Sequence, residues 1–171
     1  PEVRIAAMKT SGLLKRAEMW PVLVENLHLS TFSNAALSSL VHVGEPALHT
    51  IDSAFYKTGQ YPDTRFRAVQ IFGRVGGKKA IELLWKKVDY PDRSIVSEVL
   101  NSLSYIGFEA KDHQKARLQL VIEDIIGNIT WSLKTLEEIR QENPMDKMLR
   151  EAIAEENKIN YDNIFMLLSM I

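Results

Sequence analysis

The chain has 171 residues, 46% of them hydrophobic and 25% charged, with a formal net charge of −1 and no cysteine. Such a composition belongs to a folded chain rather than a disordered one, and a charge this close to zero gives no global pull toward nucleic acid or an anionic membrane. The absence of cysteine excludes disulfides, thiolate metal sites and cysteine nucleophiles, and no apolar run approaches the ~18 residues of a membrane span.

In chain order, Pro1-Glu2 opens a helix carrying Ile5, Met8 and Leu13, and a second helix follows with Trp20, Leu23, Val24 and Leu27 inward. Pro21 suits the first turn of that second helix, where its missing N–H is not needed. The next unit spans about 30–60. Ser30-Thr31 are positioned to cap a helix bearing Ala36, Leu37, Leu40 and Val43, and Gly44-Glu45-Pro46 turns the chain into a helix with Leu48, Ile51, Ala54 and Phe55. The third unit, about 61–89, starts at Pro62-Asp63. Its first helix carries Phe66, Val69, Phe72 and Val75, and after Gly76-Gly77 its partner carries Ala80, Ile81, Leu84, Trp85 and Val88. The fourth opens at Pro91-Asp92, with Ile95, Val99, Leu100, Leu103 and Ile106 before Gly107.

Beyond Gly107 the pattern changes. Leu118, Ile122, Ile125, Ile129, Leu133, Leu136 and Ile139 recur at steps of three and four. They predict one helix of about thirty residues, ~45 Å long, from Asp112 to Gln141. Asn143-Pro144 breaks it. A short helix with Met148, Leu149, Ala152 and Ile153 is expected next. A polar break at Asn157–Asn160 then leads to a last helix with Ile164, Phe165, Leu167, Leu168 and Ile171 inward. No strand period competes. Both ends read as cut, so the sequence leads one to expect a fragment of a longer protein.

Gly12, Gly44, Gly76 and Gly107 stand 32, 32 and 31 residues apart, each just after an apolar stripe of helical spacing. A glycine past such a stripe is a helix stop, and its recurrence at this period signals an array of helical hairpins. The expected fold is all-α: a right-handed α-solenoid of about four hairpins (about 1–29, 30–60, 61–89 and 90–142) in one domain over 1–171. The long helix and two shorter ones within 144–171 would cap it, as a stacked array requires.

Units such as Ser33–Phe55 and Thr64–Val88 resemble HEAT repeats, in which two apolar helices are joined by a small-residue turn. The segment Met148-Leu149-Arg150-Glu151-Ala152-Ile153, with the later Ile164-Phe165-Met166-Leu167-Leu168-Ser169-Met170-Ile171, resembles one in certain bacterial membrane proteins. Those proteins are similar to ATP/ADP carriers of the major-facilitator type and bear soluble HEAT repeats after the transporter-like part. The resemblance implies a cytoplasmic portion of such a protein and transfers no carrier residue.

For chemistry the sequence offers little. His42 and His49 fall on different helices, with no third ligand and no HExxH spacing, so neither a metal site nor a cofactor is expected. Gly73-Arg74-Val75-Gly76-Gly77 lacks the preceding strand of a phosphate loop. No nucleophile has an adjacent base, so no catalytic residue is assigned. Trp20, Trp85 and Trp131 are expected in the core. The charged features are Arg65, Arg67, Arg74, Lys78, Lys79, Lys86, Lys87 and Arg93, eight cations against four acids over 63–93, and an opposite excess of four acids over 137–162. Within the basic stretch Lys78, Lys79, Lys86, Lys87 and Arg93 form the candidate partner-binding patch, because Lys79 and Lys86 are seven apart on one helix face. The plain alternative is a solvated helix face.

The expected function is a non-catalytic protein-interaction or regulatory module, binding a protein partner or other domains of its parent chain. It would neither insert in the membrane nor bind nucleic acid. Two other classes are set beside it. One is a nucleic-acid-binding HEAT solenoid resembling alkyl-base glycosylases, which should be more basic along its length. The other is a lyase-like HEAT protein, which needs a polar pocket that the sequence does not reveal.

Overall fold

The computed structural model describes residues 1–139 and 144–171, and among these the chain is helical with no strand. It divides into two units, Pro1–Ile106 and Gly107–Ile171. The first holds α1 (Glu2–Leu14), α2 (Trp20–Glu25), α3 (Ser33–Val43), α4 (Leu48–Phe55), α5 (Pro62–Val75), α6 (Gly77–Trp85) and α7 (Arg93–Ile106). Short 3-10 turns at Ala17–Met19 and Glu45–Ala47 lead into α2 and α4. The first helix of each expected hairpin packs on the next, with α3 against α1 and α5, and α5 against α7; α4 likewise touches α2 and α6.

The apolar stripes predicted for this unit form its core. Leu23, Leu27, Leu40, Leu48, Ile51, Phe55, Val69, Phe72, Leu84, Val99, Leu100 and Leu103 have no exposed surface. Each such side chain contributes about 1.5–3 kcal/mol of transfer free energy. The stripe of α1 is looser: Met8 is buried, but Leu13 is exposed. The α3 helix begins at Ser33 with no side-chain cap, so Ser30 and Thr31 do not play the expected part.

Gly44 (φ +79°), Gly76 (φ +64°) and Gly107 (φ +73°) follow the last residues of α3, α5 and α7 in a conformation that a side chain resists. Gly12 does something else. It lies inside α1, which Lys15 terminates at φ 50°, donating its N–H to Gly12 O. Gly12 instead lets α3 approach: a Cβ there would stand 2.8 Å from Ser39 Cβ. Gly73 plays the same part between α5 and α7, where a Cβ would stand 2.6 Å from Ser102 Oγ. Each of these glycines precedes the residue that ends its helix by three positions. The recurring glycine of the sequence therefore has two structural roles, one ending helices and one admitting a neighbour.

Pro62 opens α5 in the first turn, as expected. At the start of α7, Asp92 Oδ1 accepts from the Ser94 N–H at 2.9 Å, the Ser94 hydroxyl at 2.7 Å and the Ile95 N–H at 3.4 Å. The Ser94 hydroxyl is the main cause holding the Asp92 carboxyl below its ordinary 3.8, with the two backbone donors and the Arg65 charge adding to it. A carboxyl lowered in the folded state stabilises the fold above its ordinary value, and that contribution disappears as pH falls through the folded value. Asp92→Ala is expected to cost about 1 kcal/mol at neutral pH. It should also flatten the dependence of the urea midpoint on pH below about 4. An unchanged acid limb would show that the cap carries no linkage.

The second unit is a pair of helices, α8 (Asp112–Glu138) and α9 (Pro144–Ser169), packed on each other. The expected end of the long helix near Gln141 and the Asn143 side of its break fall outside the described residues. The expected break at Asn157–Asn160 does not exist, because α9 runs straight through it. Asn157, Asn160, Asn163 and Leu167, at steps of three and four, are its buried stripe. Polar residues thus occupy core positions, and Ser132 Oγ of α8 donates to Asn157 Oδ1 at 2.7 Å. Arg150 Nη1 donates to Leu136 O at 2.6 Å, supplying a cation and a donor where α8 ends and carbonyls lack partners. Ala110 N–H donates to Met170 O at 2.7 Å, tying the start of this unit to its end.

This register turns expected core residues outward. Phe165 and Leu168 are exposed, as are Met148 and Leu149. Trp131 is 69% exposed rather than packed, being one position, about 100°, around α8 from buried Ser132. Trp20 and Trp85 are half-buried.

Candidate functional site

Of the expected basic patch, the structure keeps four members on the surface and removes one. Lys78, Lys79 and Lys86 are exposed along and just beyond α6, on either side of exposed Glu82, and exposed Arg93 opens α7. Lys87 is wholly buried. Its Nζ donates to Asp52 Oδ1 of α4 at 2.5 Å and to Leu83 O at 3.1 Å. The rings of Phe55, Tyr56 and Phe72 surround it, with centroids 4.8, 4.9 and 5.1 Å from Nζ. Burial lowers the Lys87 ammonium from its ordinary value, while the hydrogen bond and charge of Asp52 hold it up. Burial likewise raises the Tyr56 phenol, aided by the Asp52 charge. This lysine fastens the turn after α6 to α4 and offers nothing to a partner. Sequence spacing could not separate it from Lys86, since adjacent helical positions point about 100° apart and the residue type does not say which of them faces inward.

Two other cations of the basic stretch are also structural. Arg65 Nε donates to Phe55 O at 3.1 Å, satisfying a carbonyl at the end of α4, and Arg67 Nη1 lies 3.4 Å from Asn34 Oδ1 of α3. The local excess of positive charge is thus partly consumed by ties between hairpins.

Sequence analysis missed a polar cleft between α5 and α7. Gly73 and Ser102 let the two helices approach, and above this crossing Gln70, Arg74, Glu98, Asn101 and Tyr105 line a cavity of about 330 Å³. Burial pushes the Glu98 carboxyl above the usual range, while hydrogen bonds from the Gln70 and Asn101 side chains and the Arg74 charge pull it part of the way back. Tyr105 is 81% exposed at the rim. Gln70 also lines a neighbouring cavity of about 260 Å³ beside Asp63, Phe66 and Arg67. The signal was present as spacings of i, i+4 (Gln70, Arg74) and i, i+3, i+7 (Glu98, Asn101, Tyr105), the polar faces of two helices. Only their juxtaposition makes a site of them.

The histidines remain apart as ligands. His42 and His49 are exposed, and His28 stacks on Tyr61 with centroids 4.0 Å apart and planes at 12°. Among the described residues no group of three His, Asp or Glu side chains is placed to hold a metal ion. No helix among them is long and apolar enough to cross a membrane. Neither a scan of protein-family models nor a search of curated proteins finds a match to this chain.

Proposed function

We propose that the chain is a non-catalytic interaction module, a HEAT-like right-handed solenoid in its repeated part, that binds an acidic partner surface through α6. The observation that carries this is the placement of Lys78 and Lys79 in the first turn of α6, both exposed. Cations at a helix N-terminus oppose the helix dipole, so the dipole gives no reason for them. Together with Lys86 they give this face three cations around the single acid Glu82. The row of first helices α1, α3, α5 and α7 beside the row α2, α4 and α6 supports the HEAT-like description.

The parent protein in this proposal is a bacterial ATP/ADP carrier-like membrane protein with this segment on its cytoplasmic side, which rests on the resemblance over residues 144–171. About a dozen apolar spans encoded upstream in the same reading frame are the expected finding, and none would sink that placement.

The module itself is tested with a partner recovered by affinity capture and then purified. Its affinity for the Lys79→Glu/Lys86→Glu variant should fall at least tenfold, and its affinity for the wild-type chain should weaken with added salt. Equal affinity for both proteins excludes α6 as the contact.

A further inference from the structure

We propose that the cleft between α5 and α7 is a binding site for a guanidinium group, held against the Glu98 carboxylate with its plane on the Tyr105 ring. This goes beyond the α6 surface and does not depend on it.

The inference comes from the acceptors gathered around one carboxylate in a cavity with an exposed aromatic ring. The side-chain amides of Gln70 and Asn101 both spend N–H groups on Glu98. Their carbonyl oxygens, with the carboxylate itself, are the acceptors of the cleft, and its remaining donors are the Arg74 guanidinium, the Tyr105 hydroxyl and the second N–H of each amide. The Ser102 hydroxyl is spent on Val69 O at 3.4 Å, so its oxygen adds a further acceptor. A site with several acceptors and one partly desolvated carboxylate matches a ligand that is cationic and rich in donors. Guanidinium has five N–H donors in one plane and stacks on aromatic faces, whereas an ammonium presents a point charge.

Tyr105 is an aromatic ring left almost wholly in solvent beside those acceptors, in the position a stacking platform needs. The volume of about 330 Å³ lies within the range of small-ligand sites. Across Gln70, the next cavity also has a carboxylate, Asp63, and a ring, Phe66, in its lining, together with Arg67 and His28. Two such places in a row suit a polypeptide with spaced arginines as well as free arginine, and the experiment distinguishes these sources.

The test is a backbone-amide NMR titration of the whole chain. N-acetyl-arginine amide is expected to shift Gln70, Glu98, Asn101 and Tyr105, and the uncharged urea isostere N-acetyl-citrulline amide is expected to leave them unmoved. Glu98→Gln should weaken binding at least tenfold, and Tyr105→Leu, at an exposed position that leaves the fold intact, several-fold. Arg74→Gln should tighten it several-fold, since Arg74 is the one cation of the cleft; weaker binding there would instead mark an anion or zwitterion site and overturn the proposal. Equal shifts with the citrulline compound, or unchanged affinity in Glu98→Gln, also overturn it. Tighter binding of a peptide with two arginines assigns the source as polypeptide, and equal binding of free L-arginine assigns it as a small molecule. The Lys79→Glu/Lys86→Glu variant should titrate like wild type, so a failure of the α6 proposal leaves this result standing.

Discussion

Asp52→Ala is expected to destabilise the protein by about 3–5 kcal/mol, a large fraction of the 5–15 kcal/mol that a typical domain has. The variant leaves the Lys87 ammonium with no exposed surface and without its carboxylate. The backbone carbonyl of Leu83 and three ring faces remain, which is poor compensation for a buried charge. The double variant Asp52→Leu/Lys87→Met should recover most of that loss, because well-packed apolar residues often replace a buried ion pair at no net cost. Urea denaturation of the wild type and the two variants measures both effects. A single variant within about 1 kcal/mol of wild type would mean that water reaches the ammonium and the pair is unimportant.

The same pair makes a prediction about pH. Lys87 has a folded value below its ordinary 10.5, so rising pH removes its proton from the folded state before the unfolded one. The unfolded state then binds more protons, and stability rises with pH through that window. Asp52→Asn removes the interactions that hold the folded value up, so the window widens downward. The stability deficit of Asp52→Asn should therefore shrink as pH is raised from 7 toward 10. A deficit that stays constant would show that Lys87 keeps its charge in the folded protein.

Gly12→Ala and Gly73→Ala should each cost about 1–3 kcal/mol by overpacking, even though alanine is intrinsically favoured over glycine in a helix by about 1 kcal/mol. Their rescue should differ. At Gly73 the closest atoms to an added Cβ are the Ser102 side chain, at 2.6 and 2.8 Å, with its Cα at 3.3 Å. Ser102→Gly should thus restore most of the stability of Gly73→Ala. At Gly12 the neighbours include backbone, Ser39 Cα at 2.9 Å and Ser39 O at 3.0 Å, beyond its Cβ at 2.8 Å. Ser39→Gly should leave Gly12→Ala largely unrescued. Thermal melts of the four variants test this, and equal rescue at both crossings would show that the helices shift apart freely.

The sequence by itself determined the helices of the first unit, their order and most of their core. Its periodic stripes and its turn residues agree: Leu40 and Phe72 are buried where the three-and-four spacing puts them, and Gly44, Gly76 and Gly107 end helices because their φ is positive. Those are local facts, set by helix geometry and by what a side chain permits. The sequence could not determine which of two adjacent lysines turns inward, because that depends on Asp52, thirty-five residues away, and on three rings. Nor could it show that Asn157–Asn160 continues a helix. The polar pattern reads as a break until the partner helix supplies Ser132 opposite Asn157. The cleft at Glu98 belongs to the same class: two unremarkable polar helix faces become one site only because Gly73 and Ser102 let α5 and α7 approach. Contacts between residues distant in sequence decided all three, and there the chemistry of a side chain comes from its neighbours rather than from its place in the chain.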